Sequence, residues 1–215
     1  MKKSSICIVM PCYDSVKINT MLSIFQLIQL LGKGGVEVGI NTMKSPLIHQ
    51  ARNYLTAVFL TTEYSHLLFI DADVEFAPEA VLRMMMAKKD IICTPYRAKN
   101  PDLNNHTYTV KFPDPKVIPI LPGGLVEIEA GPTGLMLIDR KVFEKIIKNR
   151  PDLPGLALGG HVAPANGFIA HAGFIGDGEL HVAGAGLWRP VHPPVHLPAG
   201  RASVLLAPSK APGFA

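Results

Sequence analysis

Two aspartates one residue apart, Asp71 and Asp73, directly follow the run Leu67-Leu68-Phe69-Ile70. Carboxylates at this spacing can share a hard divalent cation such as Mn²⁺ or Mg²⁺, whose remaining positions are commonly filled by phosphate oxygens. The apolar run before them reads as a strand buried on both faces, the kind found at the centre of a parallel sheet. In an open α/β sheet, ligands bind just beyond the carboxyl ends of the strands, which is where this pair stands. Asp-x-Asp alone is a common pattern, and the plain alternative is one Asp capping the next helix and the other solvated. The buried strand immediately before it favours the metal reading.

Two other segments belong on the same sheet edge. Pro11-Cys12-Tyr13-Asp14 follows a first apolar strand and Asn41-Thr42-Met43 follows a second. There Tyr13 can stack on a base, and Asp14 or Thr42 can accept a hydrogen bond from it. Arg52 can offer a planar fork to a pyrophosphate or a base edge. The competing reading makes Tyr13 an ordinary loop aromatic and pairs Arg52 with a surface carboxylate such as Glu63.

The elements that must position these residues follow from periodicity. Ile6 to Met10 predicts a buried strand and Pro11 to Ser15 its exit loop. Met21, Ile24, Phe25, Ile28 and Leu31 fall at helical spacing, stopped by Gly32, Gly34 and Gly35. Val36 to Ile40 predicts a second strand and Asn41 to Ser45 its exit loop. Ser45 then reads as an N-cap, with Pro46 in the first helical turn. The helix that follows buries Ile48, Ala51, Leu55 and Val58, with His49, Arg52 and Asn53 in the opposite register. After the central strand, Pro78 opens a helix carrying Val81, Leu82 and Met85, and Ile91 to Thr94 forms a further strand. Strand and helix in alternation predict a doubly wound α/β sheet with right-handed crossovers.

From Pro95 the pattern loosens. Thr107 to Phe112 and Leu125 to Ile128 read as strands of a more antiparallel half. Gly131-Pro132-Thr133-Gly134 reads as a tight turn, Leu135 to Ile138 as a buried strand and Lys141 to Lys148 as an amphipathic helix. After Pro154, Gly, Ala, Pro and His dominate, and Asp177 and Glu179 are the only acidic residues. The sequence there predicts irregular cover, with a trace of period around Leu180-His181-Val182. The whole is expected to be one domain: a nucleotide-sugar-binding half at 1–100, an acceptor half at 101–150 and the irregular cover at 151–215.

Composition sets the limits. The 215 residues, 48% hydrophobic and 18% charged, suffice for a substantial core. The net charge of +4 is scattered, without basic runs or interleaved aromatics, so nucleic-acid binding has little support. Cys7, Cys12 and Cys93 lack metal-type spacing and read as reduced thiols. The apolar start is too short for a signal peptide, and no segment reads as a membrane span. A soluble, cytoplasmic protein is the expectation.

Three stretches carry a family resemblance: Ser45-Pro46-Leu47-Ile48-His49-Gln50-Ala51-Arg52-Asn53, His66 to Asp73, and Gly134-Leu135-Met136-Leu137-Ile138. Over residues 5 to about 150 the chain resembles GT-A-fold nucleotide-sugar glycosyltransferases of the Asp-x-Asp type. More narrowly, it is similar to glycosyltransferase domains encoded by chlorella viruses. The resemblance implies a mixed sheet with a parallel nucleotide-binding half and a more antiparallel acceptor half. It implies a UDP-sugar donor, a glycan hydroxyl acceptor, and the host cytosol as the setting if the protein is viral. Pro11 to Tyr13 and Arg52 would hold the uridine. Asp71 and Asp73 would act through Mn²⁺ or Mg²⁺ on the diphosphate, and Gly131 to Gly134 would lie near the acceptor. In such families a late carboxylate serves as base and a late His often completes the metal shell. Asp177 and Glu179 are the candidates for the first role; His181, with His192 and His196, for the second. The Gly176-Asp177-Gly178-Glu179-Leu180-His181 stretch departs from the family pattern, so inversion at the sugar carbon is an expectation carried by the resemblance.

Two other classes compete. A non-catalytic nucleotide-sugar or glycan-binding module on the same scaffold would need no base. A haloacid-dehalogenase-type phosphatase also carries Asp-x-Asp after a buried strand, but expects Thr or Val where Glu75 stands and uses the first strand of its chain. A sugar nucleotidyltransferase expects a glycine-rich loop near the start, which this sequence lacks.

Overall fold

The computed structural model describes residues 4–95, 110–113, 116, 118 and 120–149, together with the backbone of three strands at 168–175, 179–184 and 203–205. In chain order the elements are β1 (Ser5–Cys12), α1 (Ile18–Lys33), β2 (Glu37–Lys44), α2 (Ile48–Leu60), β3 (His66–Ile70), α3 (Pro78–Met86) and β4 (Ile91–Cys93). There follow β5 (Ile120–Leu121), β6 (Leu125–Glu127), β7 (Leu135–Asp139), α4 (Arg140–Asn149), β8 (Phe168–Ile175), β9 (Glu179–Gly184) and β10 (Ser203–Leu205). Eight strands form one sheet in the order β2-β1-β3-β7-β4-β10-β6-β5, and β8 pairs with β9 in a separate antiparallel hairpin.

The first half is parallel. β1 lies between β2 and β3 and runs parallel to both. β7 then enters antiparallel between β3 and β4, and β6 and β5 continue antiparallel beyond β10. This is a mixed α/β fold with a parallel half and a more antiparallel half, the arrangement implied by the GT-A-type resemblance.

Alternation along the central strands builds two apolar layers. Ile6, Ile8, Leu68, Ile70, Leu135 and Leu137 meet Ile24, Leu27 and Leu31 of α1 and Val81 and Met84 of α3. Cys7, Val9, Leu67, Phe69, Met136 and Ile138 meet Leu55 and Phe59 of α2 and Val142, Phe143 and Ile146 of α4. Helices therefore cover both faces, which is why the central strands read as unbroken apolar runs. β2, at the sheet edge, alternates between exposed and half-buried residues.

Several expected boundaries are corrected. β1 continues through Pro11 and Cys12, which pair with Met43 and Lys44. β3 has already stopped pairing with β1 at Val9, so the missing N–H of Pro11 breaks no bond on that side. β2 runs on through Asn41–Lys44, so those residues form an edge strand where the sequence suggested a loop. Helix α2 starts after Leu47, leaving Pro46 outside it. Ser45 acts from two residues upstream, its Oγ accepting from the Leu47 amide at 3.1 Å. Of the expected 107–112 strand, residues 107–109 lie outside the described residues. Lys111 makes an isolated bridge to Ala130. Within 151–215 the description is confined to the three strands; the rest of the expected irregular cover lies outside the described residues. Among the described residues, no helix is long and apolar enough to cross a membrane. All three cysteines are free and buried.

Candidate active site at the carboxyl edge of the sheet

The carboxyl ends of β1, β2 and β3 share one edge, and the Asp71-Ala72-Asp73 turn sits on it with its backbone held from several sides. The Asp71 amide donates to the Gly134 carbonyl at 2.9 Å, and the Val74 amide closes the turn on the Asp71 carbonyl at 3.2 Å. The Lys17 amide, at the N-cap of α1, donates to the Ala72 carbonyl at 2.9 Å. Beyond the turn, Asn19 Nδ2 donates to Glu75 Oε2 at 2.9 Å and the Phe76 amide donates to the buried Ser23 Oγ at 3.2 Å. The turn is thus stitched to β7 on one side and to α1 on the other.

The carboxylate of Asp71 faces α2. Arg52 Nη2 donates to Asp71 Oδ1 at 2.7 Å, and the two side chains are only 15% and 21% exposed. Arg52 Nε is buried and has no hydrogen-bond partner among the described residues. Asp73 is exposed on the turn. Two carboxylates with oxygen donors suit Mg²⁺ or Mn²⁺, which characteristically take one or two protein carboxylates and complete their shell with water and phosphate. Among the described residues, no group of three His, Cys, Asp or Glu side chains converges to hold a metal alone. The donor set fits a cation that depends on its ligand for the remaining positions.

The other expected residues separate. Tyr13 projects into solvent, 72% exposed, at the tip of β1. Asp14 makes a 2.7 Å ion pair with Lys44 in which both side chains are about two-thirds exposed, so solvent screens it heavily. Thr42 is exposed on β2, opposite Met10. Pro11 is buried in β1 and can contribute its carbonyl and ring edge only. Asp177 lies outside the described residues, as do His192 and His196. Glu179 and His181 lie on β9, whose side chains are outside the description.

Two features escaped the sequence reading. One is the Arg52–Asp71 pair, expected as a donor contact or a pairing with Glu63. The signal was topological. A crossover helix runs antiparallel to its strands, so the first turns of α2 must lie near the carboxyl edge where Asp71 stands. The other is the docking of Gly134 against Asp71. Gly131, at the start of that turn, has no room for a side chain: a Cβ there would stand 2.5 Å from Ile128 Cδ1 and 2.6 Å from Cys93 Sγ.

Burial pushes the Cys93 thiol, at the carboxyl end of β4, up to about 12, and further perturbed groups stand at the opposite, amino edge. Burial depresses the His66 imidazole, against a weaker upward pull from Asp139, while its Nδ1 lies 2.8 Å from Ser65 Oγ. Burial would raise Asp90, but the hydrogen bonds and charges of Lys141 and Lys145 overcome it and hold the carboxyl below its usual range. These shifts belong to the network that closes that edge. An open cleft of about 870 Å³ runs between α1 and the Glu75–Glu79 segment, bounded by Leu22, Gln26, Lys33 and Phe76. It lies on the α1 side, away from the Arg52–Asp71 pair.

No protein-family model matches the chain, and no curated protein does. Among solved structures, A197 from STIV is 24% identical over 66% of this chain and 68% of its own, with a TM-score of 0.44. The 4-diphosphocytidyl-2C-methyl-D-erythritolsynthase from Anaerococcus prevotii DSM 20548 is 11% identical over 76% and 82%, with a TM-score of 0.38. A glycosyltransferase involved in the glycosylation of the major capsid of PBCV-1 is 16% identical over 70% and 68%, with a TM-score of 0.35. Likenesses this distant assign no activity.

Proposed function

We propose that this chain is a metal-dependent glycosyltransferase that moves a sugar from a UDP-sugar to a glycan hydroxyl, with inversion at the sugar carbon. The observation that carries the reading is the braced Asp71-Ala72-Asp73 turn at the carboxyl edge of a buried central strand, with a guanidinium on one of its carboxylates. Transfer leaves negative charge on the departing diphosphate, and a bound divalent cation supplies Lewis-acid stabilisation of that charge. In this reading Asp71 and Asp73 hold the cation, and the backbone bonds to Gly134 and Lys17 keep the turn from reorganising during the reaction. Arg52 adds a second positive centre toward the phosphates. Pro11 and Tyr13 border the base, with Asp14 and Thr42 as polar partners at its rim. Asp177 or Glu179 is assigned to deprotonate the acceptor hydroxyl, and His181 to complete the metal shell.

The deciding experiment follows UDP release from a panel of UDP-sugars with and without Mn²⁺, for the wild type and Asp73→Ala. Metal-dependent release that disappears in the variant is expected. Metal-dependent UDP binding without release would make the chain a binding module instead. Release insensitive to both metal and Asp73 would overturn the assignment.

A further inference from the structure

We infer that Arg52 guards Asp71, so that the cation enters this site together with the diphosphate and not ahead of it. The inference rests on the metal site proposed above and concerns the order in which that site is filled. The Arg52 guanidinium already occupies Asp71 Oδ1 at 2.7 Å, and neither side chain is more than 21% exposed. A bare dication must therefore share Asp71 with an adjacent positive charge that solvent screens poorly. No third carboxylate, His or Cys converges among the described residues to offset that repulsion.

A diphosphate changes the balance. Its oxygens accept from a guanidinium fork as well as a carboxylate does. Arg52 can exchange Asp71 for a phosphate without losing a charge-assisted bond, and Asp71 Oδ1 is released to the cation carried by that phosphate. The buried Nε, without a partner among the described residues, shows that Arg52 is incompletely satisfied in its present position. An arginine with an unmet donor loses less on re-pairing than one whose bonds are complete. Arg52 is thus a positioning residue whose charge keeps the carboxylate pair from binding metal prematurely.

Mn²⁺ binding followed by electron paramagnetic resonance tests this, using Mn²⁺ alone, Mn²⁺ with UDP and Mn²⁺ with inorganic pyrophosphate. In the wild type, UDP should tighten Mn²⁺ binding by about tenfold or more, the size of an ordinary coupling between two ligands. Arg52→Gln should bind bare Mn²⁺ about fivefold more tightly than the wild type, since the repelling charge is gone. In that variant the coupling to UDP should largely vanish. Arg52→Lys keeps the charge and should keep bare Mn²⁺ weak. Pyrophosphate reproducing the effect of UDP would confirm that the phosphates release the guard. If Arg52→Gln binds bare Mn²⁺ no more tightly than the wild type while the wild type still takes Mn²⁺ with UDP, the guard is refuted and the function stands. If the wild type binds Mn²⁺ neither alone nor with UDP, the function fails as well. The wild-type comparison requires no variant to fold: equal Mn²⁺ affinity with and without UDP refutes the guard by itself.

Discussion

Arg52 and Arg140 stand at opposite edges of one sheet and are held in opposite ways. Arg140 opens α4 at the amino edge, where its Nε donates to the Tyr64 carbonyl at 2.6 Å. Its Nη2 donates to the carbonyls of Phe59 at 3.0 Å and Thr62 at 2.7 Å. The guanidinium also lies 4.4 Å from the centroid of the Phe59 ring, which in turn meets Phe143 at 5.6 Å. It thereby bonds carbonyls at and just beyond the end of α2, placing a positive charge at a helix C-terminus; of these, the Phe59 carbonyl also accepts from the Thr62 amide at 3.0 Å. Arg52 instead meets the single carboxylate of Asp71 at the carboxyl edge and retains a buried N–H without a partner among the described residues. The contrast separates an arginine whose donors are spent on the backbone from one whose bonding is incomplete among the described residues.

The sharpest test of this contrast is Arg140→Met, which takes the donor from the Thr62 and Tyr64 carbonyls and removes the charge over Phe59. We expect a loss of about 3 kcal/mol of stability by denaturant unfolding, given the cost of unmatched partners to a charged donor. An unchanged midpoint would erase the distinction from the amino side. Next is Gly131→Ala. Its Cβ has no room beside Ile128 and Cys93, so crowding should cost about 2 kcal/mol and disturb the turn that carries Gly134. A variant with wild-type stability would show that the turn yields easily. Arg52→Gln should cost only about 1 kcal/mol, because the carboxylate it leaves is partly solvated and Arg52 is already incompletely bonded. A loss as large as that of Arg140→Met would make Arg52 structural too.

The smallest effect concerns pH. Burial holds the folded-state His66 pKa below its ordinary value of 6.5, so the unfolded chain takes up its proton first. Its contribution is therefore complete above about pH 6.5 and declines as the pH falls from there toward the lower folded value. The wild type should melt lower at pH 5.5 than at pH 7.5, and His66→Asn should lose part of that difference. Identical pH profiles for both proteins would remove His66 from the amino-edge network.

Much of this was legible from residue order. The apolar run Leu67 to Ile70 marked a strand covered on both faces, and the abrupt change to Asp71 marked its carboxyl end. Of the expected helical stripes, Ile24, Leu31, Ala51 and Leu55 enter the two layers, whereas Phe25 and Ile48 are exposed and the buried Leu27 and Phe59 stood outside the stripes. What could not be read was which strand adjoins which. Leu135 to Ile138 is apolar on both faces like β1 and β3, so period alone cannot say that it inserts between β3 and β4. The polar residues Asn41 to Lys44 resembled a loop because an edge strand buries only one side at best. The Arg52–Asp71 pair was hidden for a related reason, since it depends on where α2 crosses the sheet.

The insertion of β7 has a consequence for how the protein is made. Strands β3 and β4 are separated by one short helical excursion, yet the place between them is taken by a segment synthesised about forty residues after β4. Closing so long a loop precedes any reward from pairing, which makes this step slow relative to the local βαβ units. Until Gly134 arrives, the amide of Asp71 has no acceptor there and the Asp71-Ala72-Asp73 turn lacks its brace. The fixing of this turn is accordingly a late event in folding, gained when the chain returns to fill its own centre.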